Sequence, residues 1–207
     1  MGLFSSGKSS PQVADKVWKT NAACMKGIAT EGLLSIKKSE LALVVTVFEE
    51  SHKAFIDFLN TQAVPYEVME GFADVDSVLQ KNSIAVYRAF ASESIGNNIH
   101  KVKVSILILG RYPYVIAENK IIENLNKHFP QGRISFCLSL DEPLFQFFGS
   151  QNIKAIMDNL GMKEDECIEH AMVSKSIQRA LEKTNQNLDV ELKAHSEKEW
   201  FARNGKK

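Results

Sequence analysis

The eight residues Leu41 to Phe48, LALVVTVF, are apolar apart from one threonine and rich in β-branched side chains. A run this short does not make a helix of its own, and a strand solvated on one face would alternate apolar with polar residues. Unbroken apolar sequence suits a strand buried on both faces, as in parallel sheets covered by helices on either side. The flanking sequence agrees. EESHKAFIDFLNTQ places His52, Phe55, Ile56 and Leu59 on one helical stripe, and Ala63-Val64-Pro65 ends it ahead of a short strand at 66–69. Strand, helix, strand in this order is a βαβ unit, whose crossover is right-handed.

Toward the C-terminus the alternation continues. Residues 74–80 predict one or two helical turns, 83–90 a strand, 91–100 a polar loop with Gly96, Asn97 and Asn98, and 101–109 (KVKVSILIL) a further strand. Ala117, Ile121, Leu125 and Phe129, spaced by four, predict a helix over 114–129 ended by Pro130, followed by a strand at 134–140. Beyond Asp141 the strands stop: Ile153, Ile156, Met157 and Leu160 predict a short helix ended by Gly161, and Val173, Ile177, Ala180, Leu181, Thr184 and Leu188 a longer one. Toward the N-terminus, Val17, Asn21, Cys24, Met25, Ile28 and Ala29 recur at three- and four-residue steps, so 16–34 reads as a helix capped by Asp15. Residues 1–14, rich in Ser and Gly, read as a flexible tail. The expected organisation is a tail at 1–14, an α/β domain with a mostly parallel sheet at 15–150, and a helical extension at 151–207.

Composition narrows the function classes. With 207 residues, 44% apolar and 24% charged, the chain can bury a sizeable core. Twenty-five basic and 25 acidic residues balance, so the counterion release that drives nucleic-acid binding has no global charge to draw on, and Lys101, Lys103 and Arg111 are too few for a local stripe. No nucleic-acid partner is expected. No apolar run approaches the roughly 18 residues of a membrane span, and the N-terminus lacks a signal-peptide layout, so the reading is a cytoplasmic chain without a stable membrane anchor. Cys24, Cys137 and Cys167 are odd in number and form no C-x-x-C pair, as suits free thiols in a reducing compartment.

Motif matches are few. Gly2 to Ser9, GLFSSGKS, fits the phosphate-loop expression, but that loop needs a buried strand before it and a helix after it, whereas one residue precedes Gly2 and Pro11 follows closely. Met1-Gly2 with Ser6 fits an N-myristoylation pattern, yet one acyl chain without a basic patch anchors only marginally. His52, His100, His128, His170 and His195 show no metal spacing; Glu166 and His170 could share a helical face as a local pair. No G-x-S-x-G elbow and no G-x-G-x-x-G loop occurs, so no metal, nucleotide cofactor or catalytic residue is assigned.

Residues 138–190 carry a resemblance. Leu138-Ser139-Leu140-Asp141, Phe148-Gly149-Ser150, Leu160-Gly161-Met162, Ile168-Glu169-His170, Val173-Ser174-Lys175 and Asn187-Leu188-Asp189-Val190 follow one another at near-constant gaps. In that order they resemble the junction, in the SecA preprotein translocase ATPase family, between the second motor domain and the helical scaffold. Upstream, Lys38-Ser39-Glu40, the strand from Ala42, the helix at 49–62 and Val64-Pro65-Tyr66-Glu67-Val68 resemble the start of that motor. The resemblance implies a RecA-like fold, of the kind found in P-loop NTPases, and a bacterial setting.

The departures are equally informative. Where the family carries a G-R-G-T-D-I motif and then Q-L-R-G-R-x-G-R, whose arginines meet nucleotide phosphates, this chain reads AFASESIGNN (89–98) and ENLNKHFPQGR (123–133). Asn126, Lys127 and His128 stand where guanidinium groups would be needed, with Arg133 the lone arginine nearby. An arginine finger is worth about 10³- to 10⁵-fold in rate, and neither Asn nor neutral His reproduces its geometry. The expectation is a pseudo-ATPase domain, without cofactor or ATP binding, that serves as a protein-interaction or assembly module, linked to translocation. Trp200 and Phe201 are the candidate partner-binding residues: the apolar stripe of a scaffold helix over 171–203 either meets a partner or folds back on the sheet, since it would otherwise face water. The alternative is the second half of a nucleotide-dependent ATPase completed by a separate partner subunit.

Overall fold

A computed structural model describes residues 13–72, 75–90, 102–148, 151–186, 188 and 190–205. Six strands, β1 (Val13–Trp18), β2 (Leu41–Thr46), β3 (Tyr66–Met69), β4 (Ile84–Arg88), β5 (Val104–Leu109) and β6 (Arg133–Ser139), form one sheet in the order β1-β6-β5-β2-β4-β3. Every pairing is parallel; β2 lies at the centre, with Leu41 opposite Val104 and Leu43 opposite Ala85. All six residues of β2 are buried, as its unbroken apolar sequence requires.

The right-handed crossover rule distributes the helices. Chain moves from β1 to β2 and from β2 to β3 run one way across the sheet, so α1 (Asn21–Lys37) and α2 (Glu49–Thr61) share one face. The return moves put α3 (Val75–Lys81) and α4 (Val115–His128) on the other. Side chains along β2 alternate accordingly. Ala42 and Val44 pack with Trp18, Cys24, Ile28, Phe55 and Leu59, while Leu41, Leu43 and Val45 pack with Val78, Ile121, Leu125 and Phe136. The approach of α1 is close: a Cβ on Gly27 would lie 2.4 Å from the Trp18 ring, so that position has room only for hydrogen.

The remaining helices, α5 (Pro143–Phe148), α6 (Gln151–Asn159), α7 (Ala171–Asn185) and α8 (Glu197–Asn204), contribute to the second face. Val173, Ile177, Leu181, Trp200 and Phe201 all join the core beneath that face. Backbone bonds between Val17 and Ile168, 3.0 and 2.9 Å, pin the segment before α7 to the edge of β1. The Asn185 side chain accepts from Val115 N–H (3.1 Å) and donates to the Pro113 carbonyl (2.7 Å), closing the end of α7 onto the start of α4.

Three expectations are corrected here. Val13 and Ala14 are not tail but part of β1, while residues 1–12, with the phosphate-loop and myristoylation patterns, lie outside the described residues. Residues 16–18 are strand rather than helix; α1 starts at Asn21, and its cap is Thr20, whose side chain accepts from Ala23 N–H, not Asp15. Glu166 and His170 share no helix: the Glu166 carboxylate accepts from Lys163 N–H (2.9 Å), and His170 caps α7 by accepting from Met172 N–H (3.1 Å).

Candidate functional site

In parallel α/β sheets, ligands bind outside the carboxyl ends of the strands, where adjacent strands send their connections to opposite faces. Here that point lies between β2, which leads to α2, and β5, which leads to α4. Among the described residues two clefts open on this edge, sharing Val47 and Phe48 as a wall.

The first, about 740 Å³, has an aromatic floor. Phe48 stacks on Tyr112 at 5.2 Å between centroids, and Phe90 meets Tyr112 at 5.1 Å. Tyr114 and Ile116 complete the apolar lining. Phe90 and Ile116 are 50% and 56% exposed, a large apolar offering to solvent. Phe90 also holds φ +66°, a left-handed conformation costly for an aromatic residue. Charges ring the rim: His195 Nδ1 lies 2.9 Å and Arg88 3.6 Å from the Glu49 carboxylate. These contacts hold Glu49 below the usual carboxylate range, the His195 bond first among them. Burial, with the Glu191 carboxylate beside it, pushes the Tyr112 phenol up.

The second cleft, about 270 Å³, is acidic. Glu50, Glu142 and Glu197 line it together with Asn21, Gly110 and Lys198. Glu142 Oε1 accepts from Ser139 N–H (2.9 Å), and Glu197 Oε1 accepts from Leu144 N–H (3.0 Å), joining α5 to α8. Desolvation pushes the Glu197 carboxyl up to about 8 and raises Glu142 well above the ordinary range, the latter also by repulsion from Glu197.

Between the clefts sits a buried charge cluster. Arg111 donates to both oxygens of Glu118 (2.9 and 2.7 Å) and to Asp15 Oδ1 (2.8 Å), with its guanidinium 3.8 Å above the Phe136 ring. Tyr112 N–H also donates to Glu118 (3.0 Å). Arg111 reaches one edge of the acidic cleft, yet its donors are committed inward. Arg133 lies at the start of β6, the opposite end of that strand from the clefts, paired with Glu40 at 2.7 Å. His128 is buried at the far end of α4, bonded to the Asn124 carbonyl at 2.9 Å and stacked near Phe72. Neither Arg133 nor the end of α4 stands at the ligand-binding edge.

The candidate partner residues are placed elsewhere. Trp200 and Phe201 are 0% and 4% exposed, in edge contact with each other at 5.3 Å, and the Trp200 indole donates to Glu191 (2.8 Å). Of the two placements open to it, the stripe takes the internal one: the chain turns back after α7, and α8 packs beside α5 with its apolar side in the core. What the sequence reading missed is that Glu142, Phe90 and Tyr112 come together at this edge. A partial signal existed in Glu118, a carboxylate set within the apolar spacing of α4, which implies a buried cationic partner.

Parallel sheet, helices on both faces and clefts at the carboxyl edge define an α/β domain of the RecA-like kind. No family model matches the chain. It is similar to the protein translocase subunit SecA of Clostridium kluyveri, 30% identical over 84% of this chain. To the SecA subunits of Halothermothrix orenii and Desulfotalea psychrophila it is 28% and 26% identical, over 82% and 86% of the chain. It is thus a SecA-related chain, and it spans 21% to 22% of the length of these curated relatives. No helix among the described residues is long and apolar enough to cross a membrane.

Proposed function

We propose that this chain is a non-catalytic SecA-related module, cytoplasmic and linked to protein translocation, that docks a protein partner through the aromatic cleft. The translocation link rests on the SecA relatives. The observation that carries the docking role is the half-exposed pair Phe90 and Ile116 beside Tyr112 and Tyr114 at the sheet's carboxyl edge. Aromatic side chains presented together, with a charged rim, have the composition of a protein–protein contact centre. Trp200 and Phe201 support the site from below rather than touching the partner, since Trp200 holds the Glu191 that lines the same cleft.

The non-catalytic reading is supported by charge. Phosphoryl transfer needs cationic donors aimed at developing phosphate charge. Arg111, which follows β5 at the switch point, directs three of its N–H donors to Asp15 and Glu118, and the neighbouring cleft presents the carboxyl groups of Glu50, Glu142 and Glu197, with Lys198 as its other basic residue.

Two measurements test the proposal. Phosphate release from ATP should stay at the buffer rate, and fluorescent ATP should show no saturable binding with magnesium; protein-proportional turnover would sink the non-catalytic reading and favour a motor half completed by a partner. Partners captured by the intact chain from its native cell should include translocation components and should be lost with F90E/I116E. Retention of the same partners by that variant would remove the aromatic cleft from the docking surface.

A further inference from the structure

We infer that the acidic cleft at the ends of β2, β5 and β6 is a binding site for a cationic, donor-rich head group, an ammonium or guanidinium, with Glu142 as its principal acceptor and Glu197 as the second. This stands independently of whether the aromatic cleft docks a protein.

The argument begins with an acceptor that lacks a donor. Glu142 is 8% exposed, and while its Oε1 takes the Ser139 N–H, its Oε2 is buried with no hydrogen-bond partner among the described residues. Buried polar atoms in folded proteins are paired, so an orphaned carboxylate oxygen in a cleft wall asks for a donor from outside the chain. Gly110 adjoins that oxygen. It stands at φ +80°, and a Cβ built there would meet a single heavy atom of the described residues within 4 Å, Glu142 Oε2 at 4.0 Å. Any larger residue would fill the space in front of the orphaned oxygen.

The local charges favour a cation over other occupants. Glu142 faces Glu197 on α8, Asp141 beside it and Arg111 after β5, but that arginine is turned to Asp15 and Glu118. Glu197 lines the cleft with one oxygen on Leu144 N–H, and Glu50 stands on the wall contributed by α2. Lys198 is the one other basic residue of the lining, against three carboxyl groups; an anion would bring no donor to Oε2, and an apolar group would leave it as it is. A metal ion would want three or more ligating side chains, and no such group occurs among the described residues. The cleft's 270 Å³ lies below the usual range for nucleotide-sized ligands and suits one head group. Charge-assisted bonds from that head group would satisfy Oε2 directly.

The head group could belong to a free small amine or to a basic side chain of a protein, and the experiment separates these. The full chain, labelled with nitrogen-15, is titrated with agmatine, with acetyl-Gly-Arg-Gly-amide and with its citrulline analogue, following the backbone amides of Gly110, Ser139 and Leu144. Saturable shifts are expected for both guanidinium probes, with the uncharged citrulline peptide about tenfold weaker or silent. E142Q and E197Q should each weaken binding by about fivefold or more, while E123Q on the exposed side of α4 leaves it unchanged. The two glutamine variants are independent, so if one fails to fold the other decides. Agmatine binding as tightly as the peptide assigns the site to a small amine; a peptide about tenfold tighter assigns it to a partner's side chain; both outcomes uphold the site. Absence of saturable shifts, equal binding of citrulline, or wild-type affinity in the folded variants would overturn it.

Discussion

The two clefts share one sheet edge and one wall, yet their chemistry is opposite. Consecutive residues after β5 are divided between them: Gly110 and Arg111 line the acidic cleft, Tyr112 the aromatic one. The stretch before and within α8 is divided likewise, Glu191, Lys193, Ala194 and His195 on the aromatic side and Glu197 and Lys198 on the acidic side. The fold therefore fixes where ligands can sit, and the two or three residues that follow each strand decide what sits there. Arg111 is the partition. Its removal should have the largest effect on that division: R111M strands Asp15 and Glu118 as buried carboxylates and should cost about 3–5 kcal/mol in urea unfolding. A loss under about 1 kcal/mol would mean that the two clefts are separated by packing alone.

How much of this division could be read from the sequence differs by element. β2 and β5 were legible because a doubly buried strand needs unbroken apolar sequence, and LALVVT and VSILIL supply it. β1 was not: VADKVW has charges at its third and fourth positions, which broke the apolar run, and both are satisfied only by distant partners, Asp15 by Arg111 and Lys16 by Glu31 at 2.6 Å. Without those partners in view, the three- and four-residue spacing beyond Val17 pulled the helix forward. The clefts were illegible for a related reason. Their walls gather residues from separate strand ends and from α8, and no local spacing records that convergence. Trp200 and Phe201 are the converse case, since an apolar stripe says that a helix buries a face but not against what.

Acidity sharpens the contrast next. The folded pKa of Glu197 is raised from the ordinary carboxylate value of 4.5 to about 8, chiefly by desolvation, and that of Glu142 is raised too. A raised carboxyl pKa means the native state holds protons that the unfolded chain releases. This contribution is whole below about pH 4.5 and fades as pH climbs through about 8, at a limiting slope of about 1.4 kcal/mol per pH unit for each group. Unfolding free energy should therefore fall between pH 5 and 8, and E197Q should flatten the decline and exceed wild type at the alkaline end. A wild-type profile flat over that interval would show that these carboxyls are not held protonated, and the acidic cleft would then be charged even when empty.

A smaller effect separates the clefts sterically. G110A forces a side chain into φ +80°, which should cost about 1–2 kcal/mol, and its methyl group would stand in front of Glu142 Oε2. Guanidinium binding should be lost while partners of the aromatic cleft are kept. Loss of both activities together would mean that the clefts operate as one surface.

The smallest stability change should come from the most exposed aromatic residue. Phe90 is half in water, so F90E removes little buried area; its ring contact with Tyr112 is offset in part by relief of a bulky side chain from left-handed backbone. The unfolding free energy should move by less than about 1 kcal/mol, while partner capture falls by about tenfold or more, since a charge placed at the centre of an apolar contact must be desolvated without a counterpart. A residue that matters little to the fold and much to binding is what a docking surface requires. If F90E instead destabilised the chain severely and left capture intact, Phe90 would belong to the core, and the acidic cleft would be left as the working face of this edge.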